Sequence, residues 1–420
     1  MTDQPTASPY AAIKIPDFRF LFAGKCFVTL AVQIQAMAVG WQIYELTKNP
    51  LALGMIGLTE ALPSIGISLY AGHVADRTNR RMITRIAVFV VLCTIATLAG
   101  FTLKLPPGDS LTTVIFVAIA VSGFARGFYN PAMFGLLSDI VPREHYGNAA
   151  AWNSTAWQSC AMVGPILGGF LYVGFGAGWT YAAATVLCLF GLVCFSMIKT
   201  DSVIEPQKHD SIVENIKEGL NFVFSNQIVL AAMALDLFAV LFGGAVALLP
   251  IFTSEVFHMG PQALGTLRAA PSIGAFLSAT YLMHNPIGGH AGRIFMAAVA
   301  GFGICMIGFG LSTNYYIALC ILAVSGVLDG ISVYLRSTIY QLLTPNDMKG
   351  RVAAVNSIFI GSSNEIGEFE SGVACKFLGL VPSVVFGGCM TLLVVVVAFF
   401  KAPKLKKLNL EDLYKSENNS

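Results

Sequence analysis

An all-α integral membrane fold, twelve transmembrane helices in two pseudo-symmetric six-helix bundles, is what this 420-residue chain predicts. Three observations carry that reading. Hydrophobic residues make up 55% of the chain and charged residues only 11%, against roughly 25% charge in a soluble domain. Twelve apolar stretches each reach about 20 residues, the length at which a helix crosses the hydrocarbon core while satisfying its own backbone. Finally, AVSGFARGFYNPAMFGLLSDIVPREHYGNAAAWNS, starting at Ala120, returns without a gap as AVSGVLDGISVYLRSTIYQLLTPNDMKGRVAAVNS, starting at Ala323. A repeat of that length in an apolar chain marks two homologous halves, the way many transporters build one central site.

The elements follow in order. Residues 1–19 are polar and lack a short apolar core followed by a small-residue cleavage site, so this segment is expected to stay cytoplasmic rather than act as a signal peptide. The first bundle, 20–198, holds spans near 20–46, 51–73, 82–104, 112–140, 149–173 and 178–198. A cytoplasmic linker, 199–227, is the one long polar interruption. The second bundle, 228–401, holds spans near 228–256, 261–284, 291–312, 315–342, 350–376 and 381–401, and 402–420 is expected as a cytoplasmic tail.

Orientation comes from the basic residues. Lys14, Arg19, Arg77, Arg80, Arg81, Arg85, Arg143, Lys199, Lys208, Lys217, Arg293, Lys349, Arg351 and the cluster from Lys401 to Lys407 fall on one side, and Lys48, Lys104 and Lys376 on the other. The positive-inside rule makes the first side cytoplasmic, with both termini and the linker. Within the linker, Ile212, Ile216, Leu220 and Val223 share one helical stripe, which predicts an interfacial helix used for packing.

The repeat extends further. GLTEALPSIG from Gly57 aligns with GTLRAAPSIG from Gly265, each in the second span of its half, and sets Glu60 opposite Arg268. Six spans per half give both repeats the same topology, hence a pseudo-two-fold along the membrane normal. The longer stretch aligns Arg126 with Asp329.

Several function classes drop out. A net charge of +2, dispersed along the chain, offers no nucleic-acid footprint. The nine cysteines lie in or beside apolar stretches with no CxxC and no histidine at ligand spacing, so neither a metal site nor a disulfide set is expected. No HExxH, GxSxG or P-loop pattern occurs, which argues against an enzyme, a cofactor and direct ATP coupling.

The strongest local motif is GHVADRTNRRM, carrying Gly72, Asp76, Arg77, Arg80 and Arg81 just after the second span. Here the chain resembles the major facilitator superfamily, whose loop between spans two and three carries a G-x-x-x-D-R-x-x-R-R/K pattern. Glycine permits close helix approach, the aspartate can cap a neighbouring helix, and the arginines hold the cytoplasmic face together. In that family the motif supports the outward-facing state. The matching loop of the second half, MHNPIGGHAGRIFM, has His284 in place of Asp76 and keeps only Arg293, so it is degenerate.

Span five contributes Gly164, Pro165, Gly168 and Gly169 in VGPILGGFL, similar to the G-P-x-x-G-G pattern of exporters in this superfamily. In span eleven Gly367 and Gly372 keep the glycines, and Glu368 replaces Pro165. Arg126, in SGFARGF, resembles the span-four arginine of proton-coupled antiporters, with Gly127 following immediately instead of four residues on. Over roughly residues 16–400 the pattern is similar to the branch containing the enterobactin exporter and the macrolide efflux proteins.

Charges inside spans carry most of the mechanistic information, because each costs about 2.5 to 3.5 kcal/mol at the bilayer centre unless paired or hydrated. They are Glu60, Arg126, Asp236, Arg268, Asp329, Arg336, Glu365, Glu368 and Glu370. The resemblance implies that spans one, four, seven and ten line the cavity, and that two, five, eight and eleven form seams. On that basis Arg126 and Asp329 are expected at the central site with Arg336, and Trp41, Tyr44 and Tyr129 as stacking surface for a substrate. Glu60 and Arg268 are expected to make and break a pair across the outer gate. The structural alternative for both aligned pairs is a static ion pair joining the halves.

Glu365, Glu368 and Glu370 crowd NEIGEFESG in span eleven. Neighbouring carboxylates resist simultaneous ionisation, so one can hold a proton near neutral pH. Glu368, then Glu365, then Glu60 are the expected proton-coupling residues. Gating is expected from Gly72, Asp76, Arg77, Arg80, Arg81, Arg268, Gly164, Pro165 and Gly168.

The reading is a monomeric secondary transporter in the plasma (inner) membrane, exporting a small amphipathic compound in exchange for protons by alternating access. Siderophore export, nutrient import by the same fold, and a non-transporting sensor or scaffold are the alternatives.

Overall fold

The computed structural model describes residues 10–106, 108–200, 212–345 and 348–411; within these, the side chains of Leu69, Asp76, residues 212–216, Ala354, Ser357, Ile358 and Ser362 fall outside the description. The described residues form α1 (Pro16–Thr47), α2 (Pro50–Arg77), α3 (Arg80–Lys104), α4 (Asp109–Ile140), α5 (Tyr146–Met197), α6 (Ile212–Ser225), α7 (Gln227–Phe242), α8 (Leu249–Ile251), α9 (Pro261–His284), α10 (Ala291–Leu311), α11 (Tyr315–Leu343), α12 (Lys349–Leu378), α13 (Leu380–Lys401) and α14 (Pro403–Lys406). Among them there is no strand.

Among the described residues, nine helical segments are long and apolar enough to cross a membrane. One of these contains α5, which is two spans running on from each other through a turn at Gly176, where φ is 79°. Two further helices, α9 and α12, have 24 and 30 residues, ample length for a crossing, but are diluted by Arg268 and by three glutamates. The whole is consistent with the twelve expected spans.

Gly379, with φ 91°, turns the chain between α12 and α13 at the position the repeat aligns with Gly176. Both sit in a region that a Cβ disfavours, which explains why the two halves share a glycine there.

The chain divides into two compact units. The first comprises Met1–Gln42 with Thr59–Lys208, and the second Ile43–Leu58 with His209–Ser420, so the hairpin joining α1 and α2 belongs to the second unit.

In the first unit α3 buries Ile83, Ala87, Val88, Val91, Ile95 and Leu98 at helical spacing against α4 and α5. Small residues set the closest contacts. Gly123 of α4 lies against the Glu60 carbonyl of α2, while Gly164 and Gly168 of α5 lie against Gln33 and Ile34 of α1.

The second unit repeats this packing with its own residues. Gly326 of α11 meets the Pro271 carbonyl of α9, and Gly367 of α12 meets Val240 and Leu241 of α7. The expected single span 228–256 is broken: α7 stops at Phe242, and Gly243 and Gly244 lead through a short turn to α8 and a π turn at Phe252–Val256. Paired glycines and Pro250, which lacks an N–H, remove the ladder bonds that would carry the helix through. Gly244 packs onto Gly367 and Ser371 of α12, a contact that a continuous helix with larger side chains would exclude.

The amphipathic helix of the linker is α6. Val223 is buried with Val229, Met233, Val352 and Val355, and Leu220 packs on that cluster, while Lys217 and Glu218 are exposed. Ile212 and Ile216 have side chains outside the description, and the rest of the linker, 201–211, lies outside the described residues. At the other end, residues expected to begin a tail are docked instead. Leu405, Leu408 and Leu410 are buried with Phe295, Val299 and Leu335, the Gly292 amide donates to Leu408 O at 3.2 Å, and the Leu410 amide to Gly288 O at 3.1 Å.

Candidate functional site

The Gly72 to Arg81 motif, through Arg80 and Arg81, holds one end of the first unit together. Asn79 caps α3 by accepting from the Met82 amide. Arg80 then donates from Nη1 to Asp139 Oδ1 of α4 at 2.7 Å and from Nε to the Ala75 carbonyl at 3.3 Å, its stem resting on Gly135. Arg81 and Arg85 reach the last carbonyls of α5. Arg81 donates to Ile198 O and Lys199 O, both at 3.0 Å, and Arg85 to Phe195 O at 3.1 Å and Ser196 O at 2.8 Å. Cations on the orphan carbonyls of a helix C-terminus are favoured by both hydrogen bonding and the helix dipole. Asp17 completes the cluster by accepting from the Lys199 and Thr200 amides.

Two expectations for this motif are not met by the geometry. Among the described residues no atom lies within 4 Å of a Cβ built on Gly72, so the close approach expected there is not made. Arg77 is exposed. Asp76 has its side chain outside the described set. The carboxylate that Arg80 takes is Asp139, whose signal in the sequence is an acid at the end of a span that the same motif borders.

In the second half, where the motif is degenerate, His284 bonds, among the described residues, only back to the Thr280 carbonyl of its own helix, at 3.1 Å. The docked segment after α13 occupies that end of the second unit, through the Gly288 and Gly292 contacts.

Several of the charges inside spans find partners within their own unit. Arg126 of α4 is ion-paired with Glu60 of α2, both partly buried. Arg336 of α11 is ion-paired with Asp236 of α7, and both are nearly fully buried. Arg268 of α9 and Glu368 of α12, both in the second unit, are electrostatic neighbours. The repeat aligns Glu60 with Arg268 and Arg126 with Asp329; within the first unit, Glu60 and Arg126 are partners of each other. Arg336, expected at the central cavity, is instead neutralised by Asp236 in the core of the second unit.

Glu365 and Glu368 converge. A Cβ on Gly57, in the α1–α2 hairpin, would lie 2.7 Å from Glu368 Oε2 and 3.2 Å from Glu365 Oε2, so the two carboxylates occupy the space this glycine leaves. Gly54, one turn earlier, packs on the Glu368 carbonyl and the Gly372 backbone. The hairpin is thus seated on α12 by small residues, with both acids against it.

At the same hairpin Tyr44 donates its hydroxyl to Glu255 Oε1 of the π turn, and Lys48 Nζ lies 4.4 Å from the Tyr44 ring centroid. A π turn is a frequent marker of functional positions. Glu255 was missed because it lies at the outer end of what reads as one continuous span. The aromatics expected to line a cavity are buried: Trp41 is 6% exposed and Tyr44 1%, while Tyr129 turns its hydroxyl inward and packs edge-on against Phe195.

Lys25 was also missed. Its Nζ donates to Asn153 Oδ1 at 3.1 Å, linking α1 to α5 well inside the first span. A lone lysine nine residues past the start of α1 carries its own signal, the cost of an unpaired cation at that depth. Among the described residues no cluster of metal-ligating side chains occurs.

A family model described as Transmembrane secretion effector matches residues 7–419, nearly the whole chain. The chain belongs to this family. It is a multi-pass membrane protein and an efflux transporter of the major facilitator type, acting on a small-molecule substrate. Curated relatives include the enterobactin exporter of Citrobacter koseri, 25% identical over 350 residues, and that of Shigella boydii, 24% identical over 347 residues, each match covering 80% of both chains. Among solved structures, a D-xylose-proton symporter superposes with a TM-score of 0.72 at 14% identity, covering 95% of this chain and all of that one. A bacterial homologue of the lysosomal transporter Spinster gives 0.69 at 12% identity, over 94% and 99%. These structures share the major facilitator fold with this transporter.

Proposed function

We propose that this protein is a proton-coupled exporter of a small amphipathic compound, working by alternating access. The carrying observation is the convergence of Glu368 and Glu365 on Gly57, with Arg268 acting on Glu368. Two acids and one arginine gathered on a helix hairpin form a group whose charge changes by one on protonation. Placed where the hairpin seats on α12, that change alters how firmly the hairpin is held. Glu368 carries the proton, Glu365 shares it, and Glu60 is the corresponding acid of the first unit, with Arg126 as its counter-charge.

The remaining roles follow from position. Arg126 and Asp329 are the charges nearest the middle of α4 and α11. Arg268 gates through Glu368, and Gly164, Pro165 and Gly168 let α5 slide on α1. Arg80 and Arg81 of the Gly72 to Arg81 segment lock the cytoplasmic end of the first unit. The transporter works as a monomer in the inner membrane with both termini cytoplasmic, the basic loops setting that orientation.

The relatives' names favour one substrate class in particular, a siderophore. Everted membrane vesicles carrying the protein separate the readings. Uptake of ethidium driven by an inward-acid gradient supports the broad amphipathic class; uptake of a catecholate siderophore alone supports the narrow one. No gradient-driven uptake of either, with the protein present and folded, contradicts export by proton exchange.

A further inference from the structure

A second acidic position lies apart from the Glu365 and Glu368 pair. Asp329 and Ser332, one turn apart on α11, line a narrow cavity inside the second unit, closed by Asp236, Ala239 and Val240 of α7 and by Ala298 and Phe302 of α10. Asp236 is held by Arg336. Asp329 is different: among the described residues it has no hydrogen-bond or ion-pair partner. Ser332 is 4% exposed, and its hydroxyl likewise has no partner among the described residues. An unpartnered carboxylate and an unpartnered hydroxyl therefore line one narrow cavity.

Size decides what that space can hold. Its centre has room for about one water-sized occupant, far short of the roughly 300 Å³ at which pockets begin to take organic ligands. An organic substrate is excluded. The surrounding charges narrow the choice further. α7 brings only Asp236, already neutralised; α10 brings apolar side chains; α9, packed along the opposite side of α11, brings Ser278 to Gly330 and carries Arg268 near its outer end, engaged with Glu368. Arg336, two turns along α11 on the same face, is taken by Asp236. A carboxylate walled by apolar side chains with no cation of its own is most stable when it holds a proton, and a buried hydroxyl beside it can bond either form or a bridging water.

We propose that Asp329 is a proton-carrying carboxylate, loaded and unloaded inside the second unit through the cavity it shares with Ser332. The step is simple: a proton from water binds the carboxylate to give the neutral acid, and returns to water on release. The assignment rests on the transporter fold but is independent of the role given to Glu368.

The test needs no substrate. The full chain, with aspartate carboxyls labelled with carbon-13, is reconstituted in liposomes and titrated with acid while its infrared spectrum is recorded. The expected result is an isotope-shifted aspartic-acid carbonyl band that grows as pH falls through the neutral range, is lost in Asp329→Asn, and survives in Glu368→Gln. The same band persisting in Asp329→Asn overturns the proposal, as does sodium chloride abolishing it at constant pH, which would assign the cavity to sodium. Should Asp329→Asn fail to assemble, the labelled wild type still decides: no aspartic-acid band titrating in that range overturns the assignment.

Discussion

Arg126 of α4 and Glu60 of α2 are paired within the first unit, with Gly123 bringing the two helices together beside them. Asp236 and Arg336 form an ion pair in the second unit that is much deeper: their side chains are 8% and 7% exposed, against 25% for Glu60 and 34% for Arg126. That difference in burial separates a pair able to exchange partners during transport from one that holds the core.

Asp236→Asn or Arg336→Gln strands a buried charge, and the expected cost is about 3 to 5 kcal/mol. Glu60→Gln and Arg126→Gln, in wetter positions, cost about 1 kcal/mol. Thermal unfolding of the purified variants checks the order: the second-unit variants melt well below the wild type and the first-unit ones near it. Equal losses in both sets would mean that burial does not rank these pairs.

Transport is expected to show the reverse pattern for the shallow pair. Either single change at Glu60 or Arg126 lowers vesicle uptake several-fold, and the exchange Glu60→Arg with Arg126→Glu restores part of it. A swapped variant that folds yet transports no better than the single ones would remove the direct pair from the mechanism.

Gly57 tests the seat of the hairpin. In Gly57→Ala the new methyl meets both Glu368 and Glu365 carboxylates, so one of them must turn away. Fold stability is expected to change by less than about 1 kcal/mol, as for most single contacts, while gradient-driven uptake falls sharply. Uptake at the wild-type level in a normally folded Gly57→Ala protein would show that the acids need not face the hairpin.

The docked C-terminal segment supplies a stability prediction. Ending the chain at Lys401 exposes the surface that Leu405, Leu408 and Leu410 cover, and each buried leucine contributes about 1.5 to 3 kcal/mol. The truncated protein is therefore expected to melt several degrees lower, and Gly292→Ala, whose methyl collides with the Leu405 carbonyl, to reproduce much of that loss.

Much of the frame was legible in the residues themselves. The repeat foretold the helices and the matched glycines Gly164 and Gly367 at the same packing position; the equivalent turns at Gly176 and Gly379 emerge from the backbone. Partner choice was not legible, because alignment reports equivalence and not proximity: Arg126 and Asp329 are counterparts, yet Arg126 is paired with Glu60 and Asp329 faces a cavity of its own. The break after α7 was hidden in an apolar run, where hydropathy does not distinguish Gly243 and Gly244 from residues that continue a helix. Glu255 was hidden near a span end, where a charge reads as solvated until its partner is seen, and Lys25 stands alone within α1, its partner Asn153 carrying no charge to reveal it.

Glu368→Gln in everted vesicles tests the central claim most directly. Uptake of ethidium or of a catecholate siderophore, whichever the wild type carries, is measured with and without an imposed proton gradient. The account predicts that the variant folds normally and loses the gradient-dependent part of uptake, keeping at most a slow exchange that is indifferent to pH. Full wild-type dependence on the gradient in Glu368→Gln would contradict it.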